Sequence, residues 1–396
     1  METLGKALHR YGSPAHRLEE AMGQVSSRLG LHGDFFSTPT AIFASFRASE
    51  RARGPSRTVL MRVDPGELSL EKLSRVDAVF GRVIRGEIEP EEAARRVEDI
   101  EEAPPRFGPA ATVLAFAVAS GSTARLFGGA WREWVASSLI GLVIGLLAWL
   151  SGRFPNLGRL FESVAAMVAA TAAAAAAAYL GPLAYWIVTV TSLIVLVPGL
   201  TLTVAMTELA TRHLVSGAAR LAGALLVFLT MGFGFAVGSR AGALLFGSPE
   251  PWTPAPQPMW TEVPALLLAA AALVVLFQAR PRDYGWLLAA AAVALWGSRA
   301  GAAVLGPELG ALAGAILVGV AGNLFARLRD RPAAIAHIPG LMLLVPGSLG
   351  FRSVTALVAH DTLSGLQTAF TVVLVAVSLV TGLLVANVVL PPRRAL

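Results

Sequence analysis

Charged side chains are sparse in this chain after residue 108, so those beside an interrupted apolar run are the first candidates for chemistry. Glu208 is one, with Arg212 and His213 close behind it. His337 stands alone inside IAHIPG, and Arg352, His360 and Asp361 follow a later interruption. Both interruptions read LVPG, at Pro198-Gly199 and at Pro346-Gly347. Proline has no backbone N–H and glycine relaxes the chain, so a helix broken there leaves carbonyls and N–H groups free for a ligand. A half-helix N-terminus favours a carboxylate, and a half-helix C-terminus favours an ammonium or another cation. A small zwitterion carries both groups. The candidate substrate-binding set is therefore Pro198, Gly199, Thr201, Thr203, Pro346, Gly347 and Ser348. Glu208, His213, His337 and Asp361 are the candidate proton-coupling groups, since burial raises a carboxyl pKa and histidine titrates near neutrality. The competing reading makes each Pro-Gly a plain helix stop at the membrane surface, Arg212 a surface charge and His337 a hydrogen-bonded structural residue.

The elements that must position these residues follow from composition. Of 396 residues, 55% are hydrophobic and 15% charged, and the mean hydropathy is +0.63. Such values belong to a polytopic α-helical membrane protein. Residues 1–108 carry 16 basic and 17 acidic side chains, and the remaining 16 arginines lie mostly between apolar runs. No basic stripe with interleaved aromatics is present, which argues against nucleic-acid binding. The absence of cysteine excludes disulfides and thiolate chemistry. The first residues lack the apolar stretch of a cleavable signal peptide.

Charge-free runs span 107–124, 134–152, 163–207, 221–239, 263–279, 284–298, 309–326, 332–351 and 362–392. A crossing takes roughly 17–25 residues, so the run at 163–207, split at Gly181-Pro182, reads as two helices and the total as ten. With the N-terminal part inside, 11 arginines fall on inner connections, among them Arg393 and Arg394, and 5 on outer ones. That bias predicts a multi-pass protein of the cytoplasmic (inner) membrane with both termini cytoplasmic. The Arg-free loop SPEPWTPAPQPMWTE fits an outer connection, with Trp252 and Trp260 at the interface.

The two Pro-Gly pairs lie 148 residues apart, and so do Ser216-Gly217 and Ser364-Gly365. Two five-helix repeats are implied, and an odd number of crossings inverts the second relative to the first. Secondary transporters commonly use that architecture, with substrate sites at broken helices between the halves. The expected domains are a small soluble α/β unit at 1–108, a membrane module at 109–247, a Pro-rich loop at 248–262 and a second module at 263–396.

Within the first unit, Leu18, Met22, Val25 and Leu29 share a helical face, two strand-like runs follow (GDFFSTPTAIFASF and RTVLMRV), DPGE marks a turn, and two further helices close the unit, the second opening near Pro90. Arg17, Glu19, Asp34, Ser37 and Thr38 are polar and close in sequence, with no triad spacing, metal pair or phosphate loop among them. No enzyme, cofactor or metal is expected. In the membrane part, Glu208 and Arg212 are spaced to pair along a helix. Asn323 could line a cavity or cap a helix. Gly141 and Gly145, with the alanines at 172–178, suggest close helix packing.

Three stretches carry a family resemblance. HRYGSPAHRLEEAMGQVSSRLGLHGDFFSTPTAIFASF resembles the amino-terminal signature of the threonine/serine exporter family. LVPGLTLTVAMTELATRHLVSGAARLAGALLVFL resembles its Pro-Gly membrane segment, and the C-terminal stretch from LVPGSLGF onward is similar to its second module. The resemblance implies a ten-span carrier exporting small hydroxy amino acids, driven by the proton gradient. By position, Pro198, Gly199, Ser216 and Gly217 match the family pattern, and Glu208 falls where an acid, usually Asp, is expected. Val204 stands where a polar residue, typically Asn, is expected, and Arg212-His213 replace an expected Gly-Asp. Split relatives are associated with small dicarboxylates such as succinate. An exporter of those, or a non-transporting scaffold with a partner-binding soluble unit, remain the alternatives. The partners implied are a small amino acid or carboxylate, the bilayer and, compatibly, further copies of the chain.

Overall fold

The computed structural model describes residues 1–47, 56–64, 66 and 68–391. Pro65 and Glu67 of the expected turn, and Arg393 and Arg394 of the charge count, lie outside the described residues.

The chain opens with α1 (Glu2–Arg10) and α2 (Ala15–Arg28), then β1 (His32–Thr38), β2 (Ala41–Arg47) and β3 (Arg57–Arg62), then α3 (Leu70–Ile84) and α4 (Pro90–Glu102). The sheet is antiparallel in the order β1-β2-β3, with Phe36 opposite Phe43 and Phe43 opposite Leu60. Alternation sends Ile42, Ala44 and Met61 inward onto Leu8, Leu18, Met22 and Val76. The opposite face leaves Phe36, Phe43 and Leu60 exposed. Ser69 caps α3 by accepting from the Lys72 N–H, and Pro90 occupies the first turn of α4, where its missing N–H costs nothing. The helices and strands come in the expected order, but α1 is additional and the first strand-like run, GDFFSTPTAIFASF, folds into the β1–β2 hairpin, so the sheet has three strands and not two.

The membrane part consists of α5 (Pro109–Leu126), α6 (Trp131–Ser151), the single turn α7 (Pro155–Gly158), α8 (Phe161–Leu180), α9 (Tyr185–Ser192), α10 (Gly199–Ala210) and α11 (Leu214–Phe246). It continues with α12 (Glu262–Leu276), α13 (Tyr284–Leu305), α14 (Pro307–Arg329), α15 (Ala334–Leu344), α16 (Gly347–Val358) and α17 (Thr362–Val389). Among the described residues eight segments are long and apolar enough to cross a membrane: α6, α8, α11, α12, α13, α14, the pair α15–α16, and α17. The sequence suggests ten. The two outside this set are α5, whose second half carries Ser120, Ser122, Thr123 and Arg125, and the broken pair α9–α10. Leu225, Leu226, Leu229 and Phe233 on α11 are exposed, as side chains facing lipid would be.

Helix contacts are close where residues are small. A Cβ on Gly141 would come within 2.4 Å of Ser120, and one on Gly145 within 3.0 Å of Val113 O. The glycine pair of α6 thus receives α5, and Gly234, Gly238 and Gly242 of α11 receive α8 at Ser163, Met167 and Ala174 in the same manner.

The N-terminal α/β unit rests on the helix ends. Leu70 and Glu71 donate their N–H groups to Phe277 O and Gln278 O between α12 and α13, at 2.9 and 3.2 Å. Arg331, between α14 and α15, donates to both carboxylate oxygens of Asp283 and to Ser74 Oγ. Ala15 reaches α10, so three connections meet the unit. At the opposite end Arg125 and Arg299 both pair with Glu262.

Candidate functional site

The two Pro-Gly breaks meet. Ahead of Pro198 the chain leaves α9 in a series of tight turns, with Leu193 N bonded to Val190 O and Leu196 N to Leu193 O. Ahead of Pro346 only Val345 is extended, the conformation a following proline imposes. Both prolines then cap twelve-residue helices that begin at Gly199 and Gly347. A Cβ on Gly199 would lie 2.2 Å from Val345 Cγ1 and 3.7 Å from Gly347 Cα. A Cβ on Gly347 would lie 2.4 Å from Val197 Cγ1 and 3.4 Å from Gly199 Cα. Each glycine thus admits the valine that precedes the other break, a reciprocal contact only hydrogen side chains allow.

Hydroxyl groups lie on the helices flanking the first break, α9 and α10, and on α6 beside α9. Thr203 is buried and donates to Gly199 O at 3.2 Å, Ser137 bonds Thr191 at 2.9 Å, and Ser192 donates to Val188 O. Thr201 is exposed and Ser348 half-buried. Beside the second break Phe351, fully buried, stacks on Trp186 of α9 with ring centroids 5.9 Å apart. Ser137, Thr191 and Ser192 were not expected here. Their only signal in sequence was a hydroxyl in an apolar run, which recurs too widely to single them out.

The helices after the breaks end alike. His213 N bonds Glu208 O and Arg212 N bonds Leu209 O. Likewise Asp361 N bonds Ala356 O and His360 N bonds Leu357 O. This is the Schellman closure, and its left-handed residue is Arg212 (φ 66°) in one copy and His360 (φ 62°) in the other. The expected pairing of Glu208 with Arg212 is therefore not made. The helix stops at Ala210, and the turn carries Arg212 off the face that Glu208 occupies.

Glu208 has no exposed surface and is fully engaged. Its carboxylate accepts from Ala15 N at 2.9 Å, Ser216 Oγ at 2.7 Å and Arg220 Nε at 3.1 Å. Ala15 is the first residue of α2, so the carboxylate also sits on that helix's positive end. His213 links Thr211 to Glu19, whose other oxygen accepts from Ser37 N at 2.7 Å. The His213 ring lies 5.9 Å from that of His16. Burial is the main cause holding His16 well below its ordinary value, at about 4, helped by Arg17 and His213. Glu208 and His213 thus stand together where α2 meets α10 and α11.

The other candidates are elsewhere. His337, in α15, bonds Gly319 O at 3.0 Å and lies against Gly322. Asp361 is exposed and caps α17 through Ser364 N at 3.2 Å; the Ser364 side chain first, and its N–H second, keep the Asp361 carboxyl below the usual range. Arg352 is exposed on α16. Asn323 donates to Asn387 and to Leu390 O, tying α14 to the end of α17. In the α/β unit Asp34 pairs with Arg47, Thr38 closes the β1–β2 turn, and burial lowers the Arg17 pKa. Among the described residues no group of three His, Asp or Glu side chains could hold a metal ion.

Two family models match the chain: "Putative threonine/serine exporter" over residues 1–241 and "Threonine/Serine exporter, ThrE" over residues 262–389. Among curated proteins the chain is similar to "Pheromone-regulated membrane protein 10" of Saccharomyces cerevisiae (strain YJM789), 29% identical over 93% of this chain and 47% of that one. The protein of the same name from Candida albicans (strain SC5314 / ATCC MYA-2876) is 28% identical over 92% of this chain and 33% of its own length. The chain thus spans about a third to a half of these relatives. No solved structure matches it.

Proposed function

The chain belongs to the threonine/serine exporter family, and on that footing we propose that it is a proton-coupled secondary transporter exporting small amino acids such as threonine and serine across the cytoplasmic membrane. In this reading α5, α6, α8, α9–α10 and α11 form one module, and α12 to α17 form a second, inverted one. The observation that carries it is the reciprocal contact of Gly199 with Val345 and of Gly347 with Val197. The 148-residue offset, the matched Schellman closures, and the packing of α10 on α17 and of α16 on α11 support it. A substrate passing between two such modules meets unwound backbone on both sides. The substrate-binding set is Pro198, Gly199, Thr201, Thr203, Pro346, Gly347 and Ser348. Glu208 and His213 serve as coupling groups where the α/β unit closes on α10, with Asp361 and His337 as further titrating groups.

The test uses the absence of native cysteine. Val197→Cys with Val345→Cys keeps both glycines and places a thiol on either side of the contact between the breaks. In proteoliposomes we expect labelled threonine or serine to exchange through the reduced protein, oxidation to stop exchange, and reductant to restore it. Undiminished exchange through the cross-linked protein would remove the breaks from the pathway. Exchange of succinate alone would move the substrate class to dicarboxylates, and no exchange of any of the three would favour a scaffold.

A further inference from the structure

A cavity of about 570 Å³ opens where the α/β unit meets the membrane helices. Its upper wall is α3 and α4, and its lower wall is the α12–α13 and α14–α15 connections. Six arginines line it: Arg75, Arg82, Arg96, Arg280, Arg282 and Arg331. Three aspartates share the lining, so its formal charge is positive by three. Guanidinium groups thus outnumber carboxylates two to one in the lining itself.

The arginines are unequally satisfied. Arg331 is held by both oxygens of Asp283 and by Ser74, which makes it part of the wall. Arg82 pairs with Glu87 at 3.6 Å and Arg96 with Glu92, in each case between partly exposed side chains. Such pairs contribute little and exchange readily for a better anion. Arg280 reaches Glu71 only at 3.8 Å, and Arg106 already occupies that carboxylate. No ion pair is formed by Arg75 or Arg282 among the described residues. Burial, followed by the charges of Arg331 and Arg282, lowers the Arg280 pKa. Like charges thus press on one another along the lower wall.

We propose that this cavity is a phosphate-recognition site that joins the α/β unit to the membrane helices. The guanidinium fork matches phosphate oxygens two at a time, and the volume is that of a small-molecule site. The lower wall is made of membrane-helix ends, at the depth where lipid headgroups lie. The phosphate is that of an anionic phospholipid headgroup entering sideways, or of a soluble phosphorylated compound. Either would bridge Arg75 above and Arg282 below and so hold the two parts together. The site is independent of the Pro-Gly breaks and of any export activity.

The experiment follows thermal unfolding of the full chain. One arm compares nanodiscs of phosphatidylcholine alone with nanodiscs that also contain phosphatidylglycerol. The other uses detergent and titrates inorganic phosphate against chloride at constant ionic strength. We expect one arm to raise the unfolding midpoint, and the double variant Arg75→Gln with Arg282→Gln to lose most of that rise. Each lost charge-assisted contact should weaken phosphate affinity roughly tenfold. A rise with phosphatidylglycerol only identifies the headgroup, and a rise with inorganic phosphate identifies a soluble source. Arg153→Gln with Arg159→Gln, on the α6–α8 connection, controls for general attraction to an anionic surface. The proposal is overturned if neither arm raises the midpoint, if the Arg75/Arg282 variant keeps the full rise, or if the control loses as much.

Discussion

At Glu208 a fully buried carboxylate accepts from a backbone N–H, a hydroxyl and a guanidinium, the first of them from the α/β unit. Removing it strands Arg220 and uncaps α2. Loss of one partner from a buried pair costs about 3–5 kcal/mol, so Glu208→Ala should free the α2 end. Amide exchange at Ala15 should accelerate by several orders of magnitude, whereas Ser216→Ala should cost about 1 kcal/mol. Unchanged exchange at Ala15 in Glu208→Ala would deny the tether. His16 adds a pH dependence to the same junction. Its folded value of about 4 lies below the ordinary 6.5, so the neutral form is the one that docks. The associated stability is complete above about pH 6.5 and declines as pH falls toward 4. A thermal midpoint that drops across this window, and drops less in His16→Gln, is expected. Identical pH profiles for the two proteins would exclude His16.

Among the elements, the closures of α10 and α16 account for a feature of the sequence. From the family resemblance, Gly-Asp is expected where Arg212-His213 stand. The first position takes the left-handed turn that ends the helix, and the second caps the helix that follows. His360-Asp361 keeps the cap, with Asp361 bonded to Ser364 N. His213 has no such cap bond and spends its ring on Glu19 instead. A non-glycine residue in the left-handed region costs roughly 1–2 kcal/mol. Arg212→Gly should therefore raise stability by about 1 kcal/mol, since Arg212 is exposed and no ion pair of its own is lost among the described residues. A lower unfolding midpoint in that variant would mean that Arg212 makes a contact worth more than the strain.

For the molecule as a whole, the α/β unit meets the α10–α11, α12–α13 and α14–α15 connections, so all three lie at one end of the bundle. On the arginine bias we expect that end to face the cytoplasm. With Arg159→Cys and Trp260→Cys as single cysteines, an impermeant maleimide on intact cells should label Trp260→Cys and reach Arg159→Cys only after the membrane is opened. The reverse pattern would invert the orientation. The eight long apolar segments and the two Pro-Gly breaks were legible in the sequence, whereas the sequence counted ten crossings. Lipid leaves backbone groups no partner but their own helix, so a helix and its interruption are written locally. The small-residue face at Gly141 and Gly145 was legible for the same reason, because helix spacing alone puts them side by side. Pairing was not legible. Glu208 is 193 residues from Ala15, and the arginines of the junction cavity come from four separate elements. An i,i+4 rule offered Arg212 as the partner of Glu208, but one left-handed residue removed it and the fold supplied Arg220. Sequence determined where helices run and where they break, since those are questions of backbone and solvent. Tertiary structure alone decided which charge meets which, because a buried carboxylate is satisfied by whatever donors the packing brings within about 3 Å.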